Sequence, residues 1–227
     1  GVQAAEQNGV PLIWADPWAG VTEGGHQYAA ESDHPASGWS WHEVVVERAR
    51  LAETATLPVA GLLAIEALRI AAWRPRFGTE VDEKTIPHEL DWLRTAVHMT
   101  KGCYRGQETI AKVHNLGHPP RRLVMLHLDG SDAVLPAAGD EVTLDDAVVG
   151  RVTSSAMHYE LGPIALAIVK RNTAQDAVLT VQADGVAVTA AQDVIVPSDA
   201  GASLGNVRKQ FMDAGGARGE AGPGRRA

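Results

Sequence analysis

From Arg121 to Val196 the chain is a succession of short β-branched runs, each closed off by a turn signal. The runs are Leu123–Leu128, Glu141–Leu144, Val148–Thr153, Ile164–Val169, Val178–Val181, Val186–Val188 and Val194–Val196. Asp129-Gly130, Asp145-Asp146 and Asp184-Gly185 lie between them. Asp and Gly tolerate the positive φ that tight hairpin turns need, so such pairs join antiparallel neighbours. Short strands at roughly ten-residue spacing predict a small antiparallel barrel or sandwich. After Pro197 the chain turns Gly-, Ala- and Arg-rich, and 198–227 reads as a disordered tail.

The first half has a different texture. Residues 1–38 are rich in Gly, Pro, Asp and His and show no sustained period, which predicts an irregular connector pinned by Trp14, Trp18 and Tyr28. Trp39–Val46 alternates and then becomes β-branched, the pattern of a strand. Glu47–Ala55 predicts a short helix, and Val59–Trp73 a longer one bracketed by Pro58 and Pro75. On that longer helix Val59, Leu62, Leu63, Ile70 and Trp73 cluster on one side. Glu66 falls in the middle of the cluster and Arg69 at its edge. A carboxylate on an apolar face needs a partner, and Arg69 at i+3 is within reach. The pair is either a buried structural ion pair or the frame of a polar ligand pocket. A loop follows over Phe77–Asp91, then a short helix or strand to Met99, and a helix starts at Gly106.

With 227 residues and 45% hydrophobic side chains the chain has material for one large or two small cored domains. No apolar run reaches membrane-spanning length and no secretory signal pattern opens the chain. A cytoplasmic protein is expected. The first residue is Gly1, so a fragment or processed chain is expected. A single cysteine, Cys103, forbids an intrachain disulfide. The net charge of −8 argues against general nucleic-acid binding. Within that acidic background Lys101, Arg105, Lys112, Arg121 and Arg122 face one acid, Glu108. This strip is either an anion site or a solvated charged face.

The most distinctive stretch is Lys101-Gly102-Cys103-Tyr104-Arg105-Gly106-Gln107-Glu108. The two glycines permit a tight backbone path. Cys103 sits between two cations and ahead of a helix N-terminus, both of which stabilise a thiolate. A buried inert cysteine is the alternative. His114 and His118 have i,i+4 spacing, but Gly117, Pro119 and Pro120 break the helix a metal pair would need. No metal site is expected, and phosphate-loop, dinucleotide and metalloprotease patterns are absent.

These residues carry a resemblance. K-G-C-Y-R-G-Q-E over 101–108 resembles the signature of the YgfZ family, whose fold is similar to the glycine-cleavage aminomethyltransferase (GcvT). Residues 61–78, Thr85–Glu89, Gly150–Ser154 and Gly162–Ala167 resemble further blocks of that family in order and spacing. The resemblance implies an α+β, GcvT/YgfZ-like fold: a ferredoxin-like α+β region followed by a small C-terminal antiparallel β-barrel. On it, 1–38 is a connector from a folate-binding region. The α+β domain then occupies 39–118, the barrel 119–197 and the tail 198–227. The family carries a longer stretch ahead of the point where this chain begins.

The resemblance further implies tetrahydrofolate as ligand and an accessory role for iron–sulfur enzymes or cluster-assembly proteins, tRNA-modifying ones among the clients. It gives Lys101 and Cys103 the reactive role. The ligand-binding set is Glu66, Arg69, Tyr104, Arg105, Gly106, Gln107 and Glu108. In the transferase an arginine of the helix matching 61–78 helps hold folate; Arg69 occupies a shared arginine position of that block, and the transferase has another arginine where this chain has Ile65. A folate-dependent one-carbon transferase and a non-catalytic scaffold are the alternatives.

Overall fold

The β runs after Arg121 close on themselves. The computed structural model of the chain describes residues 2–30, 34–131 and 133–202. In it β5 (Arg121–Leu128), β6 (Glu141–Leu144), β7 (Ala147–His158), β8 (Gly162–Lys170), β9 (Leu179–Ala183) and β10 (Val186–Val194) form a closed antiparallel barrel in the order β10-β5-β8-β7-β6-β9. The last two of the seven runs belong to one strand and its continuation, β10 and the buried Ile195 and Val196 beyond it. Two hairpins turn where the sequence marks them. Asp145 and Asp146 have φ of 49° and 64°, and Asp184 and Gly185 have 49° and 79°. Both match the type I′ geometry that suits the twist of paired strands.

One set of alternate residues fills the barrel, among them Val124, Leu126, Val152, Ala167, Leu179, Val181 and Val188. The opposite set on β5 and β8 is buried too. Leu123, Met125, Ile164, Leu166 and Ile168 pack outward against Ala67, Ile70 and Leu90. Two-sided burial explains why these strands read as unbroken apolar runs.

The covering layer comes from the first half. Before the barrel lie β1 (Glu6–Gln7) paired with β2 (Val10–Pro11), and β3 (Ile13–Ala15) paired with β4 (His42–Val44). Then come α1 (Leu62–Ala71), α2 (Phe77–Glu80) and α3 (Gln107–Leu116), with 3-10 turns at Pro17–Ala19, Pro35–Gly38, Arg48–Thr56, Pro87–Leu90 and Trp92–Arg94. The expected strand over 39–46 shrinks to β4, and the helix expected at 47–55 is a 3-10 stretch with no buried residue. Residues 22–28 run beside 93–99 through Thr22 N–H to Arg94 O (2.9 Å), His26 N–H to Leu93 O (3.0 Å) and Met99 N–H to Gly24 O (2.7 Å).

The apolar stripe of α1 is buried only toward its C-terminal end, where Ile70 and Trp73 meet the core. Val59, Leu62 and Leu63 are 89%, 82% and 83% exposed, whereas Ala67, Arg69 and Ile70 are buried. Leu62 and Arg69, like Leu63 and Ile70, are seven residues apart and share a face, so the division runs along the helix axis. Glu80 from α2 and Ser154 from β7 present a buried acceptor and hydroxyl, and Arg69 turns inward to meet them. Among the described residues no helix is long and apolar enough to cross a membrane. The sequence expectation of a tail over 198–227 falls, from residue 203 on, outside the described residues.

Candidate functional site

The K-G-C-Y-R-G-Q-E stretch forms the tight approach to α3. Gly106 caps the helix with φ 86°, a left-handed conformation in which a side chain would be strained. Tyr104 is half-buried against Leu93, Val97 and Ile110 and anchors the loop. Cys103 next to it is a free, exposed thiol, which settles the choice between a buried and an accessible cysteine. Lys101, Arg105 and Glu108 are exposed, and Gln107 is half-buried and leans back toward the Lys101 carbonyl. Lys101, Tyr104 and Arg105 line a cleft of about 300 Å³ together with His98. The His98 ring lies against Gly24, where a Cβ would come within 2.4 Å of it. The connector therefore supports the back of the loop.

Glu66 and Arg69 belong elsewhere. Arg69 donates to Glu66 (2.7 Å), Glu80 (3.2 Å), Ser154 (2.8 Å) and the Arg74 carbonyl (3.0 Å). Glu66 also holds Arg76. Both terminal nitrogens of Arg69 are committed to protein partners. The arrangement is that of the structural ion pair, one of the two readings the sequence left open. Neither side chain lines the large cleft beside α1. That cleft, of about 670 Å³, is walled by Trp39, Trp41, Leu62, Ile65 and Leu68. The two tryptophans stack with centroids 6.2 Å apart and planes 25° apart.

The basic strip is not one surface. Lys101, Arg105 and Lys112 are exposed, but Arg121 is tied to Asp82 and Glu89, and Arg122 is buried against Thr173 O and Gln192. Asp82 receives Arg121, Arg151 and Thr85, and these donors hold its carboxyl far below the usual carboxylate range. This hub fastens the Thr85–Glu89 segment to the barrel.

Beneath α3 lies a cluster the sequence did not signal. His26 packs edge-on to Tyr28 (4.9 Å) and His114 (4.6 Å), and Tyr28 stacks near His88 (6.2 Å). The Tyr28 hydroxyl is 3.3 Å from His114 Nδ1. The Asp91 carboxylate accepts Tyr28 N–H (2.6 Å). Burial lowers the pKa values of His26 and His114 and brings His88 down to about 4. Burial pushes Asp91 up to about 7. These residues come from the connector, the 87–94 turns and α3, so no local pattern joins them. Among the described residues no group of His, Cys, Asp and Glu has the arrangement to hold a metal ion.

Comparison with known proteins adds to this geometry. Residues 121–196 match the glycine cleavage T-protein C-terminal barrel domain. An aminomethyltransferase of Nostoc sp. is 36% identical over 137 residues, covering 59% of this chain and 35% of that protein. An aminomethyltransferase of Streptomyces avermitilis is 34% identical over 112 residues, covering 48% of this chain and 30% of that protein. The chain thus spans about a third of the length of these curated relatives. The crystal structure of glycine cleavage system aminomethyltransferase T from Bartonella henselae superposes with a TM-score of 0.53 at 21% identity, covering 66% of this chain and 43% of that one. The fold is GcvT-like, with mixed helices and strands ahead of a six-stranded antiparallel barrel.

Proposed function

We propose that the protein binds tetrahydrofolate and serves iron–sulfur enzymes as an accessory factor of the YgfZ type, with Cys103 as its working group. The observation that carries this reading is the exposed Cys103 thiol, held outward between Lys101 and Arg105 by the Tyr104 anchor and the Gly106 turn. A thiol so placed is accessible to a partner's metal, sulfur or oxidised group. One thiol cannot hold a cluster alone, so its contact with a client is transient.

The cleft beside α1 suits the aromatic body of a folate. Its volume of about 670 Å³ lies within the range of small-molecule sites, and Trp39, Trp41 and Leu62 offer planar and aliphatic walls. Ile65 stands on that wall where the transferase has an arginine, so this cleft holds its ligand by stacking and apolar contact. Bound tetrahydrofolate supplies a carrier for a one-carbon unit; the residues of this chain bind and orient it.

The test is complementation of a null strain. The wild-type chain restores iron–sulfur enzyme activity and Cys103→Ala does not. Full rescue by Cys103→Ala removes the thiol from the mechanism. A second reading, a folate-dependent one-carbon transferase, is favoured by the identity to aminomethyltransferases over 137 residues. Steady turnover of methylene- or formyl-tetrahydrofolate, unaffected by Cys103→Ala, would establish it.

A further inference from the structure

The turn Pro35–Gly38 stands between two clefts. Pro35 and Gly38 line the apolar one along α1. His34 and Ser37 line a second, of about 360 Å³, together with Gly20, Gln27 and Arg94. Arg94 is the group in it that demands explanation. It is 1% exposed, its guanidinium carbon lies 4.6 Å from the centre of the Trp18 ring, and its buried Nε has no partner among the described residues. It makes no ion pair among the described residues. Asp91, the carboxylate whose charge it feels, is itself held partly protonated by burial, at about 7. A buried cation without a full counter-charge is costly.

The hydrogen bonds around His34 point the same way. Two donors are aimed at this ring: Ala36 N–H at Nδ1 (3.1 Å) and Arg94 Nη1 at Nε2 (2.7 Å). A neutral imidazole has one acceptor nitrogen. Burial, with the guanidinium beside it, keeps His34 neutral by lowering its pKa to about 4. Arg94 Nη1 is also 3.3 Å from Nδ1, so the one acceptor of the ring serves one nitrogen of the guanidinium and supplies no charge. An anion in the cleft supplies the counter-charge.

We propose that the cleft bounded by Arg94, His34 and Ser37 is a carboxylate-binding subsite with Arg94 as its cation. With Nη1 held by His34, the guanidinium keeps its charge and its Nη2 donors for a carboxylate oxygen, and Ser37 stands on the same wall. The carboxylate has two sources. One is the glutamate tail of a folate whose aromatic body lies across the 35–38 turn, which rests on the reading proposed above. The other is a free small carboxylate, which does not.

Tryptophan fluorescence reads the site, because Trp18 lies against Arg94. The whole chain is titrated with glutarate, then with folate and with pteroate, which lacks the glutamate. Glutarate gives a saturable change that weakens by about tenfold or more in Arg94→Met, a change that keeps the stem and removes the guanidinium. Arg94→Lys keeps the charge, guards against a folding defect in the first variant, and gives an intermediate loss. Circular dichroism shows that each variant is folded. Folate binding about tenfold tighter than pteroate, with the preference lost in Arg94→Met, assigns the site to the folate tail. Equal binding of the two, or binding of neither, with glutarate still dependent on Arg94, assigns it to a free carboxylate. Glutarate binding and a folate-to-pteroate ratio that are both absent, or both unchanged in the two variants, overturn the proposal.

Discussion

The barrel and the layer wrapped around it bury their interiors by different means. The barrel interior is apolar from Val124 on β5 to Val188 on β10, with the buried Arg122 tied off at one end by Thr173 O and Gln192. The layer buries Arg69 against Glu80 and Ser154, and Arg94 against His34, and it leaves Leu62 and Leu63 in the open. An apolar interior is non-directional and tolerates small shifts. A buried ion pair is directional: it holds α1 in one register on the barrel, and removing one partner strands a charge. The barrel is thus secured by area, and its cover by a few exacting polar contacts.

Glu80→Ala breaks this contrast most forcefully. It removes the fully buried partner of Arg69 and leaves the guanidinium with the half-buried Glu66 as its counter-charge, at a cost of about 3 kcal/mol in urea unfolding. Arg69→Met added to it restores most of the loss, because the stranded charge is then gone. A double variant no more stable than Glu80→Ala would show that α1 is held by packing, as the barrel is, and not by charge.

The pH dependence of stability probes the second polar cluster. His88 and His34 titrate in the fold at about 4 against an ordinary 6.5, and His26 and His114 are shifted the same way. Between about 4 and 6.5 the unfolded chain therefore binds more protons at these groups, and their stabilisation, complete above that window, is lost as pH falls through it. Asp91 opposes them. Its pKa rises from 3.8 to about 7, so across the same window the fold holds a proton there that the unfolded chain has released. Two histidines against one aspartate leave at least about one proton net, a slope of roughly 1.4 kcal/mol per pH unit. Asp82 stays ionised throughout. His88→Gln should remove about one proton from that slope and Asp91→Asn add about one. Slopes unmoved by either variant would mean that the histidines under α3 stay solvated.

The same contrast explains how much could be read from the sequence. Each barrel strand declares itself within ten residues or so, by β-branched runs and by Asp145-Asp146 and Asp184-Gly185 at the turns. The 101–108 loop was legible in part: its glycines allow the tight path that Gly106 takes, whereas the exposure of Cys103 was one of two open readings. The cover was not. Arg69 reads as a misplaced charge on an apolar helix until Glu80 and Ser154, distant in sequence, are brought to it. His26, Tyr28, His88, Asp91 and His114 meet only because 22–28 runs beside 93–99. A helical wheel puts Leu63 on the face of the buried Ile70 and carries no information about how far along the helix a partner reaches.

The smallest effect tests that last point. On the wheel Leu63 belongs to the buried stripe of α1, where loss of a core leucine costs about 2–5 kcal/mol. In the fold it is 83% exposed, beside the equally open Leu62. Leu63→Gln should therefore shift the unfolding free energy by no more than about 0.5 kcal/mol, since it touches neither the barrel nor the Arg69 clamp. A loss of about 2 kcal/mol or more would show that the apolar face is covered in solution. The contrast between barrel and cover would then narrow, with the apolar stripe of α1 covered from end to end.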